Sequence, residues 1–241
     1  MTYIKIALKS LLKQLGLQKI PSLMTATSLE ASLRRLALKN FCINTVIDVG
    51  ASNGCWTAVV RRYFPNAFFF LIEANPCHAD ALLKFKQSKE NVDFLMAVAG
   101  DSVGEIYFDG SDPFGGVAMH EPTSDALLKL PVVTIDSVVT QNKLSPPFFL
   151  KLDTHGFEKP IFEGASQTLQ NTALIVVEVY NFQIANDSLR FHEMCQYLEG
   201  KGFRCIDMCD PLFRPADGIL WQMDLFFARA DHPCFDLKSW Q

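Results

Sequence analysis

The sequence predicts an α/β fold: a mostly parallel, twisted sheet with helices on both faces. Three observations predict it. From residue 44 onward, short apolar or β-branched runs alternate with helix-like segments, the rhythm of right-handed strand–helix–strand crossovers. Several of these runs, such as Phe68-Phe-Phe-Leu-Ile72, are apolar throughout, as expected of strands covered on both faces. A loop with glycines at 50 and 54 follows the first run and precedes a helix. At 241 residues the chain suits one large domain, here residues 41–241, preceded by a helical extension over residues 1–40.

In the extension, Ile4, Leu8, Leu11, Leu12 and Leu15 fall at helical spacing, and Lys5, Lys9 and Lys13 share another face. Pro21 and Ser22 interrupt the pattern, and Ser28 starts a second helix with Leu29, Leu33 and Leu36 in its apolar stripe. Adding Lys19, Arg34, Arg35 and Lys39 gives the segment a basic face, opposed only by Glu30. Such a face can lie on an anionic membrane or a partner. The plainer expectation is a helical pair covering one edge of the domain.

Thr45–Val49 reads as the first strand, Trp56–Tyr63 as a helix stopped by Pro65, and Phe68–Ile72 as the second strand. Pro76 opens a helix as a first-turn proline, and Val92–Ala99 is the third strand. Glu105–Phe108 and Val132–Ile135 read as strands of a small additional pairing around the glycine-rich loop Asp109–Val117, which reads equally as a segment reaching over a site or as a disordered surface turn. Strand Phe148–Leu152, helix Glu158–Leu169, strand Ala173–Val179, helix Leu189–Glu199 and strands Phe203–Met208 and Asp224–Ala228 complete the chain.

Bulk composition narrows the function. A net charge of −4 gives no global attraction to nucleic acid. No run of apolar residues is long enough for a transmembrane helix, and no secretory leader is apparent, so a cytoplasmic location is expected. The seven cysteines form no CxxC pair or zinc-binding spacing, and most are expected to be reduced and buried. Nothing in the sequence sets the oligomeric state.

In an open parallel sheet, ligands bind beyond the carboxyl ends of the strands. That places Asp48, Gly50 and Gly54, then Glu73, Ala97–Asp101, Asp153 with His155, and Glu178 with Tyr180 where function is expected. The first loop has neither the GxGxxG of dinucleotide sites nor the GK[ST] of a phosphate loop. An acidic residue two places before its first glycine suits a ligand with an amino group and no phosphates, such as the methionine end of S-adenosylmethionine. Glu73, after the second strand, can accept both hydroxyls of a ribose.

These segments resemble the FkbM-type methyltransferases. The resemblance runs from about Thr45 to Arg229, through Val46-Ile-Asp-Val-Gly-Ala-Ser-Asn-Gly54, Ile72-Glu73-Ala-Asn-Pro76, Ala97-Val-Ala-Gly-Asp101 and Leu150-Lys-Leu-Asp-Thr-His-Gly-Phe-Glu158. Phe162-Glu-Gly-Ala165, Glu178 and Gln222-Met-Asp-Leu-Phe-Phe227 complete it. The resemblance implies a Rossmann-like class I methyltransferase fold that uses S-adenosylmethionine to O-methylate a sugar or other alicyclic hydroxyl. By the same resemblance, Asp48, Gly50, Ala51, Asn53 and Gly54 form the methionine loop, Glu73 holds the ribose, and Ala97 and Val98 flank the adenine. Asp153 and the residue two places later face the methyl-transfer centre, with Glu178 alongside.

The chain departs from the family pattern at two positions. His155 stands where Glu or Gln is usual, and Ser52 where Asn is more usual. A histidine is well suited to take a hydroxyl proton near neutral pH, with Asp153 to orient it; it can equally serve as a hydrogen-bonding turn residue. Asp153 with Glu178 could instead hold a divalent metal, a reading not favoured. His120 and His192 carry no assigned role. The alternatives to an O-methyltransferase are a non-catalytic S-adenosylmethionine-binding partner subunit and a nicotinamide-dependent oxidoreductase, the latter weakened by the missing GxGxxG. The acceptor, a small molecule or glycan, depends on residues 109–120 and 180–190.

Overall fold

The computed structural model describes residues 26–121 and 127–237. Its main sheet contains β1 (Thr45–Val49), β2 (Phe68–Glu73) and β3 (Val92–Met96), later joined by β8 (Phe148–Leu152), β9 (Thr172–Tyr180), β10 (Phe203–Phe213) and β11 (Leu220–Arg229). The strand order is β10-β11-β9-β8-β1-β2-β3. β9, β8, β1, β2 and β3 run parallel, whereas β11 is antiparallel to both β9 and β10. The order turns back on itself between β1 and β8, so a crevice opens above their carboxyl ends.

Alternation along the strands splits the core into two layers. Ile47, Val49, Ile72, Leu150, Leu152 and Val177 pack on one face, and Val46, Phe69, Leu71, Phe149, Val176 and Phe226 on the other. On the second face lies helix α1 (Leu29–Ala37), N-capped by the Ser28 hydroxyl and burying Leu33 and Leu36. Arg35 pins α1 to β10 through two 2.7 Å contacts with the Asp207 carboxylate. The expected second basic helix is thus a packed part of the domain. The expectations on Ile4–Leu15, Lys5, Lys9, Lys13 and Lys19 lie outside the described residues.

α2 (Cys55–Val60) follows the first loop. A short 3-10 turn at Pro76–His78 leads into α3 (Ala79–Ser88), as the first-turn proline predicted. Three expectations need correction. The run Val92–Ala99 is divided at Ala97, and β4 (Val98–Ala99) leaves the main sheet to start a second sheet. That sheet, in the order β4-β7-β5-β6, contains β5 (Gly104–Asp109), β6 (Val117–Met119) and β7 (Leu128–Val133); it is the small additional pairing, larger than expected. Ile135, read as strand, instead opens helix α4 (Ile135–Gln141), because the Thr134 side chain caps it.

Thirdly, the single helix expected over Glu158–Leu169 is broken into α5 (Glu158–Glu163) and α6 (Ser166–Gln170). The break is at Gly164, where an added Cβ would lie 2.0 Å from the Gly100 carbonyl oxygen. α7 (Phe191–Gly200) then precedes β10. The seven cysteines are all free, as expected, but only Cys209 is buried; Cys42, Cys55, Cys77 and Cys205 are exposed. Their short side chains fall on solvent-facing positions that the sequence pattern did not distinguish. No helix among the described residues is long and apolar enough to cross a membrane.

Candidate active site

Above the carboxyl ends of β1, β2, β8 and β9 lies a cleft of about 430 Å³. Its inner wall is built from the first loop. Gly50 and Ala51 donate their N–H groups to the Ile72 carbonyl at 2.9 and 3.2 Å, which ties the loop to the end of β2. Gly50 has φ +71, and a Cβ there would lie 1.9 Å from the Asp153 carbonyl oxygen. The glycine is therefore required by the approach of the β8 loop, a constraint from the protein itself as well as from any ligand.

Asp48 lies beneath this loop, fully buried, and does not line the cleft. The parallel register places it opposite Lys151, whose ammonium sits 3.0 Å from Asp48 Oδ1 and 3.5 Å from Asp153 Oδ2. The same ammonium donates to the Gly50 carbonyl at 2.6 Å, and Thr57 Oγ1 donates to Asp48 Oδ2 at 2.6 Å. Burial pulls the Lys151 ammonium down, but the carboxylates of Asp48 and Asp153 outweigh it and hold it above the usual lysine range. Asp48 was expected to meet a ligand's amino group; in this structure its carboxylate faces the Lys151 ammonium instead of the cleft. Ala51, Asn53 and Gly54 also lie off the cleft wall, whereas Gly50 and Ser52 are on it.

Glu73 does face the cleft and is 7% exposed. Its two oxygens accept the N–H groups of Ser52 at 2.6 Å and Asn75 at 2.7 Å. Each oxygen keeps a free acceptor position, so the carboxylate is fixed in place and still able to take two hydroxyls. Ala97, Val98, Ala99 and Phe108 supply the apolar wall beside it. Among the described residues, none lining the cleft is a lysine or arginine.

At the opposite end stand Asp153, His155 and Glu178. His155 Nε2 is 3.7 Å from Asp153 Oδ1 and 3.8 Å from Glu178 Oε2. His155 and Gly156 both have positive φ, 52° and 99°. Glu158 holds this bend: its Oε1 accepts from the Gly156 N–H at 3.0 Å, the Thr154 hydroxyl at 3.1 Å and the Thr154 N–H at 3.3 Å. Burial pushes the Glu158 carboxyl up, against the downward pull of those hydrogen bonds. Glu178 accepts hydrogen bonds from the Tyr180 hydroxyl and the Gln222 amide. Burial, with the Asp153 charge beside it, raises Glu178 well above the usual carboxylate range. Behind it Asp224 is pushed up to about 7, first by burial and then by Asp153.

One ligand atom each from Asp153, His155 and Glu178 lie within 4.8 Å of one another, so these three could hold a cation; so could Cys209, Asp210 and Asp224. Lys151 and Glu158 were not singled out as functional from sequence. The signal for Lys151 was available: a lone lysine in the otherwise apolar run Phe148–Leu152 must be buried and paired.

The family model of the FkbM methyltransferase domain matches residues 48–205, well over half the chain. The chain belongs to the FkbM methyltransferase family. Its fold is that of FkbM methyltransferase from Methylobacillus flagellatus KT, with a TM-score of 0.51 at 14% identity over 76% of this chain and 43% of that one. A curated relative, the hexuronic acid methyltransferase AglP of Haloferax volcanii, is 24% identical over 134 residues, 55% of this chain. The chain spans about half the length of that relative (54%).

Proposed function

We propose that this FkbM methyltransferase transfers the methyl group of S-adenosylmethionine to a hydroxyl of a sugar or glycan-derived acceptor. The observation that carries the reading is one cleft with a fixed carboxylate, Glu73, at one end and the Asp153–His155–Glu178 group at the other. Among the described residues the lining has no lysine or arginine, which suits a cofactor without phosphates better than a nicotinamide dinucleotide. The likeness to a hexuronic acid methyltransferase supports a carbohydrate acceptor.

When bound, S-adenosylmethionine supplies an electrophilic methyl group on a sulfonium sulfur. Glu73 would accept the ribose hydroxyls, Ala97, Val98 and Phe108 would cover the adenine, and Gly50 and Ser52 would border the methionine end. Asp153 and His155 would orient the acceptor hydroxyl for in-line attack, and His155 would take its proton as the new bond forms. The present 3.7 Å separation of His155 from Asp153 is of the kind that tightens once substrate is in place. Glu178, raised by burial, would stay protonated or hydrogen-bonded rather than compete for the proton.

Isothermal titration with S-adenosylmethionine tests the cofactor; a folded sample that takes up none would sink the reading. Turnover on a panel of glycosides, read as the methylated product, tests the reaction. His155→Ala is expected to lose about 10²–10⁴-fold in turnover with cofactor affinity retained, and full activity in His155→Gln would remove the histidine as base. Cofactor binding with no transfer to any hydroxylated acceptor would favour the non-catalytic partner.

A further inference from the structure

The segment between β5 and β6 borders the cleft as a strap, with Pro113, Phe114 and Gly116 among the lining residues that also include Glu73 and Ala97. Its anchors are few and specific. Asn75 Nδ2 donates to the Gly110 and Asp112 carbonyls at 3.2 and 3.4 Å. His78 donates its Nε2–H to the Pro113 carbonyl at 2.7 Å, and its ring lies 5.6 Å from that of Phe114. Both anchors lie just beyond Glu73 on the same chain segment. Gly116 lies so close over Phe108 that a Cβ would meet the ring at 2.4 Å, which seats the strap on the apolar wall.

Phe114 is anomalous in this setting. It is a large apolar side chain on the cleft, yet it is 68% exposed. The apolar residues that line the same cleft include Ala97, Val98 and Ala99, whose side chains are small. A flat apolar ligand between the two walls would bury the ring that the protein leaves open.

We infer that the strap is the outer wall of the nucleoside subsite: Phe114 closes on the cofactor's adenine half, and the Asn75 and His78 anchors set how fast that half is released. This rests on the S-adenosylmethionine reading above and assigns to Phe114 a binding role in it. Closure excludes water from the nucleoside, and opening of such an element commonly governs product release.

The test measures equilibrium binding and stopped-flow release of S-adenosylhomocysteine and of methylthioadenosine, which keeps the nucleoside and lacks the amino-acid end. Phe114→Ala should weaken both ligands by the same factor, roughly ten-fold for a lost stacking partner, and speed their release. Phe114→Trp should restore both. His78→Asn, too short to reach the Pro113 carbonyl, should speed release with a smaller loss of affinity. Wild-type binding with unchanged values in Phe114→Ala overturns the inference, as does a loss confined to S-adenosylhomocysteine, which would place Phe114 at the amino-acid end. If the wild-type protein binds neither ligand, the cofactor reading itself fails and the strap's role falls with it.

Discussion

The two walls of the cleft are built on opposite physical terms. The inner wall, from Asp48 to Gly50 and from Lys151 to Asp153, is a buried ion-paired joint between two neighbouring parallel strands, closed by backbone contacts that leave no room for a Cβ. The outer wall, the strap around Phe114, hangs on three side-chain-to-carbonyl hydrogen bonds and one exposed ring. The inner wall therefore belongs to the folding energy, and the outer wall to the energy of ligand binding. A site with one rigid and one lightly held side can be both preorganised and open to exchange.

Substitutions that break this contrast should fall in a definite order. The largest effect is expected from Gly50→Ala, because the new Cβ would clash with the Asp153 carbonyl at 1.9 Å in a positive-φ conformation. Loss of a cooperative melting transition, or of soluble protein altogether, is the expected result; near-native melting would mean that the two loops are not in contact. Next comes Lys151→Met, which keeps the length of the side chain and leaves Asp48 buried beside no cation. It should cost about 3–5 kcal/mol in denaturant unfolding, and adding Asp48→Asn should recover much of that loss. A double mutant no better than Lys151→Met would show that the ion pair is not the source of the cost.

A smaller effect is expected from pH. Asp224 titrates near 7 in the folded protein, against an ordinary value of 3.8. A carboxyl raised in this way binds its proton more tightly when folded, so its contribution to stability is full below about pH 4 and is lost as pH climbs toward and through 7. Asp224→Asn should therefore hold its melting temperature better than wild type between pH 5 and pH 8; parallel curves would contradict the raised value. Least affected in stability is Phe114→Ala, expected within about 0.5 kcal/mol of wild type by denaturant unfolding, although it is the variant expected to change ligand affinity most.

The difference between the walls also explains how much could be read in advance. Strands β1, β2, β8 and β9 are covered on both faces, so each appears as an apolar run that no helix of that length would need, and Glu73, Asp153, His155 and Glu178 at or just beyond their carboxyl ends line the cleft. The pairing of Asp48 was not legible because its charge is used across the sheet: its partner is 103 positions away in the chain, and only the β1–β8 register brings the two together. Glycine gave a similarly mixed signal. Gly50 looked like a place for a ligand to approach, and it lines the cleft but is also required by the close approach of the β8 loop, while Gly164 broke a helix whose apolar pattern was continuous.

By itself, then, the sequence determined the layers and the direction of the sheet, because hydrophobic burial is a local pattern with a period of two or 3.6 residues. It also placed the residues that follow each strand, because in a parallel sheet these all gather at one edge. Only the tertiary structure decided which of those residues face the cleft and which are used beneath it, that Glu158 holds the His155 bend, and that Asn75 and His78 anchor the loop after β5. Those are outcomes of register and close approach between segments far apart in the chain, for which no local pattern of residues carries a signal.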